Sequence, residues 1–161
     1  MARARSLTLA EVAHTPIGSI KRRQAVRVAP DFPLGEVVHQ LRKHGRGSVV
    51  VEEDGRAIGI CGERDLMLRV DHSDPRWIER PVREVMTPAP RTIGEDEPIE
   101  EAINFMLAGG YRHLPIVDAA GTLLGIVSIR DLLVHIVGFF PDEFVNLPPD
   151  PSRESRGPWG G

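Results

Sequence analysis

The chain repeats itself. Residues 28–66 align with residues 93–132 at an offset of 65, which becomes 66 after one extra residue. Before that step Asp31, Pro33, Glu36 and Gly45 recur as Asp96, Pro98, Glu101 and Gly110. After it Gly55, Gly59, Ile60, Arg64, Asp65 and Leu66 recur as Gly121, Gly125, Ile126, Arg130, Asp131 and Leu132. The added residue falls between Glu53-Asp54-Gly55 and Asp118-Ala119-Ala120-Gly121, polar, glycine-containing stretches where a hairpin turn absorbs an insertion without slipping the flanking strands. A unit this short encloses too little interior to be stable alone, so two copies are expected to pack as one domain with clefts between them.

Local patterning gives both copies the same element order. In the first, Val26-Arg27-Val28 reads as a short strand; Leu34, Val37, Val38 and Leu41 recur at helical spacing after Pro33, and Gly45 ends that helix. Ser48 to Glu52 and Ala57 to Cys61 are β-branched runs on either side of Asp54-Gly55, a hairpin signal, and Glu63 to Val70 returns to helix. The second copy gives a strand near Arg91 to Ile93, a helix carrying Ile99, Ala102, Ile103, Met106 and Leu107, strands at His113 to Val117 and Leu123 to Val127, and a helix from Ile129 to about Phe140. Each unit is therefore β-α-β-β-α, an α+β architecture. The organisation expected is a leader over 1–15 with a short helix at Leu7 to His14, a first unit over 16–72, a connector over 73–85, a second unit over 86–140 and a proline-rich tail over 141–161. Trp77, Val82, Val85 and Met86 are the expected anchors of the connector region onto the body.

The last helix points to assembly. Leu132, Leu133, Val134, Ile136, Val137, Phe139 and Phe140 surround most of its circumference, whereas a surface helix of a monomer needs only an apolar stripe. Leu66, Met67, Leu68 and Val70 give the matching helix the same character. A homodimer burying these helices is the simpler account; the tail folding back over them is the alternative.

Composition narrows the function classes. A net charge of −3 provides no general attraction to nucleic acid or anionic membrane, and the basic spots at Arg3/Arg5 and Lys21-Arg22-Arg23 are short and free of interleaved aromatics. Nucleic acid is not an expected partner. Cys61 is the single cysteine, which excludes an intrachain disulfide, and on an apolar strand with no obvious base it reads as a structural thiol. The basic start meets Glu11 and His14 before any apolar run, and Leu132 to Phe140 is far shorter than the ~20 residues a membrane span requires. Cytoplasm is the expected location. The six histidines are scattered, with no Cys-x-x-Cys, P-loop or dinucleotide fingerprint, so neither a metal site nor an enzyme is expected.

Arg112-His113-Leu114-Pro115-Ile116-Val117-Asp118 and Gly125-Ile126-Val127-Ser128-Ile129-Arg130-Asp131-Leu132, with the weaker copy Gly59-Ile60-Cys61-Gly62-Glu63-Arg64-Asp65-Leu66, resemble cystathionine-β-synthase (CBS) domains. Val85-Met86-Thr87 is similar to that family's lead-in, and the resemblance covers roughly residues 16–140. It implies a stand-alone tandem CBS pair, or Bateman module, with its units packed through their sheets about a pseudo-twofold axis. It further implies a disc-shaped homodimer, and clefts that take an adenosine ligand such as AMP, ADP, ATP or S-adenosylmethionine. The function implied is a regulatory sensor acting on a separate client protein; the alternative is a structural dimerisation module without a ligand.

Physical chemistry supports a site in the second unit. Asp131 falls in the first turn of a helix, where the dipole favours a carboxylate able to accept two hydrogen bonds from a ribose diol. Ser128 stands at the cap, three residues earlier. Arg112 and His113 follow Gly109-Gly110 as cationic donors for a phosphate, with Arg130 adjacent to Asp131, and Leu114 and Pro115 as apolar contacts for a purine. By resemblance Thr87 and nearby backbone read the adenine edge. In the first unit Gly62 replaces Ser128, Gly47-Ser48 replace Arg112-His113, and Val50 replaces Pro115. Arg64 and Asp65 remain, so a weaker second site is expected there, its phosphate holding dependent on Arg46 or on Arg130 reaching across.

Overall fold

Turn chemistry accounts for the change of offset. Asp54 and Gly55 both take left-handed φ, 49° and 77°, forming a two-residue hairpin turn. At the second hairpin the turn is longer and is held by Asp118, whose carboxylate accepts from the backbone N–H groups of Ala120 and Thr122 at 2.9 and 2.8 Å. These hydrogen bonds hold the Asp118 carboxyl below the usual carboxylate range, the Thr122 N–H being the largest cause.

The computed structural model describes residues 8–20 and 23–140. Arg3, Arg5, Lys21, Arg22 and the proline-rich segment 141–161 lie outside the described residues. In chain order the elements are α1 (Leu9–Ala13), β1 (Arg27–Val28), α2 (Leu34–His44), β2 (Ser48–Glu53), β3 (Arg56–Gly62), α3 (Glu63–Arg69), β4 (Thr87–Pro88), β5 (Ile93–Gly94), α4 (Ile99–Gly109), β6 (His113–Val117), β7 (Leu123–Ser128) and α5 (Ile129–Phe139). The β-α-β-β-α order expected of each copy is present, and the helix of the leader starts at Thr8 with a capping box to Glu11. No helix among the described residues is long and apolar enough to cross a membrane.

Two small mixed sheets form, ordered β1-β2-β3-β4 and β5-β6-β7. The outer strand of the first sheet is borrowed. Thr87 and Pro88, from the segment leading into the second unit, pair with Ile60 and Gly59 of β3, and Met86 lies against the bare backbone of Gly59, where any Cβ would collide with its thioether. The exchange is reciprocal, since Arg23, leading into the first unit, bridges to Ile126 of β7. Pro33 bridges to Pro81, and Pro16 bridges to Pro98; both residues of the second bridge stand 65 positions from a residue of the first, so the crossed arrangement obeys the repeat. An uncovered edge strand invites non-native pairing, and each unit closes the edge of the other.

Alternation along the strands divides the interior into three. Val49 and Val51 face the helices of the first unit with Leu34, Val37, Leu41 and Cys61, and Val82 and Val85 of the connector region seal this core, with Trp77 and Met86 packed against it. Leu114, Ile116, Val127 and Leu132 form the corresponding core of the second unit together with Ile17 and Ile20, which come from the segment before the first strand. Between the sheets Val50, Leu123 and Ile126 are buried, with Ala25, Ala57 and Ile60 packed on them, so the two units meet sheet to sheet about a pseudo-twofold axis. At the hairpin tips the Leu123 N–H donates to the Gly55 carbonyl at 2.8 Å. Arg27 donates to the Leu123 carbonyl at 2.9 Å and to Glu52 at 3.0 Å.

Leu132→Ala opens a cavity in a fully buried position and is expected to lower the unfolding free energy by about 2–5 kcal/mol in denaturant titrations. Burial, with the Asp65 charge as the next cause, pushes the Cys61 thiol up to about 12. A raised thiol pKa leaves the neutral form dominant at pH 8. A disulfide reagent at that pH is expected to modify the native chain only as fast as it unfolds, and the denatured chain at once.

Candidate functional site

Ser128 ends β7 in extended backbone and caps α5. Its hydroxyl accepts from the Asp131 N–H at 3.2 Å and donates to Asp131 Oδ2 at 2.6 Å; its own N–H donates to the same oxygen at 3.0 Å. This reciprocal capping box fixes the carboxylate at a buried position, with 8% of the side chain exposed, and leaves Oδ1 facing the inter-unit cleft. Oδ1 is not idle. Arg23 Nε reaches it at 2.6 Å, from a side chain that is 43% exposed.

The cleft in front of Asp131 is built from both units. The lead-in segment contributes Arg23, Gln24 and Val26; the loop after α2 contributes Gly45, Arg46, Gly47 and Ser48; the second unit contributes His113, Ile126, Ser128 and Asp131. The free space is about 50 Å³. Ser48 is the first-unit counterpart of His113, and its hydroxyl is buried without a hydrogen-bond partner among the described residues. An unsatisfied buried hydroxyl costs about 1–3 kcal/mol, so this atom is a feature of the cleft with a physical demand attached. The His113 ring lies over Gly47: a Cβ built there would sit 3.3 Å from His113 Cε1. Burial pushes the His113 pKa down, the charges of Asp131 and Glu63 opposing it, so the ring enters the neutral form below the ordinary histidine value.

The first-unit copy differs in its bonding. Asp65 Oδ2 accepts from the Gly62 N–H at 2.9 Å, but no hydroxyl stands at the cap. Its Oδ1 faces Thr87 Oγ1 at 3.4 Å and Arg69 Nε at 3.5 Å. A larger open hollow of about 540 Å³ lies between α2 and α3, lined by Val38, Leu41 and Met67 among others. Arg42, Arg46 and Glu63 also line it, and it lacks the serine–aspartate pair.

Several residues expected around Asp131 are placed elsewhere. Thr87 stands beside Asp65, because the exchanged lead-in carries it onto β3; at Asp131 its place is taken by the segment from Arg23 to Val26. Arg46, expected to serve Asp65, is on the loop after α2 and lines both the Asp131 cleft and the hollow between α2 and α3. Leu114 points away from the cleft into the helix-side core, only 1% exposed, because strand alternation turns it opposite to His113. Pro115 is buried opposite Ile126, on the face turned to the other sheet. Arg112 is exposed at the start of β6, its carbonyl accepting from the Ile129 N–H at 3.0 Å. Arg64 and Arg130 are exposed on α3 and α5. The structure thus brings His113, Ser128, Asp131 and Arg46 together. Arg23, Gln24, Val26 and Ser48 escaped sequence reasoning; Ser48 was legible as the repeat counterpart of His113, whereas the others required knowing which sheet the lead-in joins.

Comparison with known proteins agrees with this architecture. The chain is 36% identical over 119 residues to an uncharacterised 17.7 kDa protein of Acidianus ambivalens, covering 73% of this chain and 71% of that one. It spans smaller shares of three further relatives, 60%, 21% and 45% of their lengths. Among solved structures it resembles the CBS-domain protein ATU1752 of Agrobacterium tumefaciens, with 33% identity, a TM-score of 0.63, and coverage of 70% of this chain and 89% of that chain. It also resembles the cytosolic domain of the Mg2+ channel MgtE, solved in complex with ATP, with 27% identity, a TM-score of 0.63, and coverage of 78% of this chain and 50% of that chain. Residues 17–72 and 82–138 each match the CBS domain profile, and the chain belongs to the CBS-domain family as a tandem pair.

Proposed function

We propose that the chain is a regulatory module that binds an adenine nucleotide in the cleft at Asp131 and thereby alters its affinity for a separate client protein in the cytoplasm. One observation carries the reading. A buried, cap-fixed carboxylate shares a cleft with two arginines, Arg23 and Arg46, and with a buried hydroxyl that has no partner among the described residues. A carboxylate answers a ribose diol, guanidinium groups answer a phosphate, and the Ser48 hydroxyl gains the hydrogen bond it lacks. The ATP complex of the MgtE cytosolic domain supports a nucleotide in this fold. AMP, ADP, ATP and S-adenosylmethionine are the ligands to test. The Asp65 site, capped by glycine and facing Thr87 and Arg69, is the weaker of the two. Regulation requires only that the ligand favour one of two arrangements of the units.

The module acts as a homodimer. Met67 and Leu68 on α3 and their repeat counterparts Leu133 and Val134 on α5 are 75%, 71%, 55% and 64% exposed. The same two apolar positions therefore project from both helices, a self-complementary face suited to a twofold interface. A disc-shaped dimer packed through these helices covers all four.

Calorimetric titration checks the ligand. Wild type is expected to bind an adenine nucleotide, Asp131→Ala to lose the stronger event, and Asp65→Ala to remove only a weaker one. A ligand at about 100-fold above its dissociation constant raises stability by about 2.7 kcal/mol; no thermal shift with any of the four ligands would leave the structural dimerisation module as the reading. Light scattering checks the dimer: wild type is expected at twice the chain mass and Leu133→Glu at the chain mass, since the substitution places a carboxylate in the interface.

A further inference from the structure

Resting on the assignment of Asp131 to the ribose, the geometry points to Arg23 as a charge-selecting latch: it occupies the ribose-binding carboxylate until a ligand offers its guanidinium another anion. Three observations build this. Arg23 Nε stands 2.6 Å from Asp131 Oδ1, and Ser128 already fills Oδ2 with two donors. Both acceptor sites of Oδ2 and one of the two on Oδ1 are taken, so a ribose diol donating two hydrogen bonds to this carboxylate must displace the arginine. The free space with Arg23 in place, about 50 Å³, is a small fraction of the ~300–1,000 Å³ of ligand pockets, so steric fit also demands its departure. Arg23 is 43% exposed, which leaves the side chain room to swing.

Where the guanidinium goes decides which ligand enters. Among the described residues the ionisable groups lining the cleft are Arg23, Arg46, His113 and Asp131, with Glu63 next to Gly47 at its border. Once the ribose holds Asp131, Arg23 loses its ion pair and stands in a cleft that Arg46 also lines. A phosphate on the ligand resolves both problems, since it accepts a forked hydrogen bond from Arg23 and screens Arg46. Adenosine offers no charge, and S-adenosylmethionine sets a sulfonium cation next to the ribose, beside two arginines, with its carboxylate held at the far end of the methionyl chain, several bonds beyond the place of an α-phosphate. The latch therefore favours phosphorylated adenosine ligands over both. In the repeat, Arg23 corresponds to Pro88; the arginine facing Asp65 is Arg69 of the same helix, at 3.5 Å, so the lead-in arginine belongs to the Asp131 cleft.

The experiment titrates AMP, adenosine and S-adenosylmethionine into the full chain as wild type, Arg23→Gln, Arg23→Lys and Asp131→Ala, with thermal unfolding of each variant to confirm a folded state. Wild type is expected to prefer AMP. Arg23→Gln is expected to cut the ratio of AMP to adenosine affinity by about tenfold or more, the scale of one charge-assisted hydrogen bond, with adenosine and S-adenosylmethionine binding as well as or better than in wild type. Arg23→Lys restores part of the preference. An unchanged ratio in Arg23→Gln, with binding still lost in Asp131→Ala, overturns the latch and leaves the cleft assignment standing. Absence of binding in both wild type and Arg23→Gln, or full binding by Asp131→Ala, overturns the cleft assignment and the latch with it.

Discussion

Strand β3 has an edge that its own unit leaves uncovered, and the chain covers it with Thr87 and Pro88 from the segment entering the other unit. Unpaired N–H and C=O groups along such an edge template aggregation, and a unit of this size has no spare strand of its own. The reciprocal bridge from Arg23 to Ile126 is the same solution applied to the second copy. Neither half is complete alone, and the rest of the structure follows from that dependence. Ile17 and Ile20 complete the second-unit core, Val82 and Val85 complete the first, and the hydrophobic layer of Val50, Leu123 and Ile126 is trapped between the sheets.

The crossing also composes the cleft. A loop and a lead-in from the first unit bring Arg23, Arg46 and Ser48 to a carboxylate held by the second. The cleft is lined by residues of both units, so the binding energy of the proposed ligand would depend on how they sit relative to each other, the condition for coupling occupancy to geometry. The two clefts are chemically unequal for the same reason. Exchange gives Asp131 an arginine and gives Asp65 a threonine, and the capping serine is present only at Asp131.

Much of this was legible residue by residue. Pro33 and Pro98 precede their helices, Gly45 and Gly110 end them in the left-handed conformation, and Asp54-Gly55 turns the first hairpin; all are local signals whose physics lies within a few residues. The Ser128–Asp131 capping box is equally local. The misplacements have two origins. Placing Thr87 at Asp131 by resemblance treats the lead-in as staying with its own unit, and placing Leu114 beside His113 at a ligand treats neighbouring strand residues as sharing a face. The exchange of edges breaks the first assumption, and the period-2 alternation of a strand breaks the second.

The sequence by itself determined the duplication, the β-α-β-β-α order of each copy, and the asymmetry that leaves a serine-capped aspartate in the second alone, because these rest on propensities and caps acting over three or four residues. Tertiary structure decided that the lead-ins cross, that Arg23 meets Asp131, and that the Ser48 hydroxyl is buried without a partner. These depend on contacts between residues far apart in the chain, as with the 108 positions separating Arg23 from Asp131. No local preference encodes them; the need to cover two sheet edges at once does.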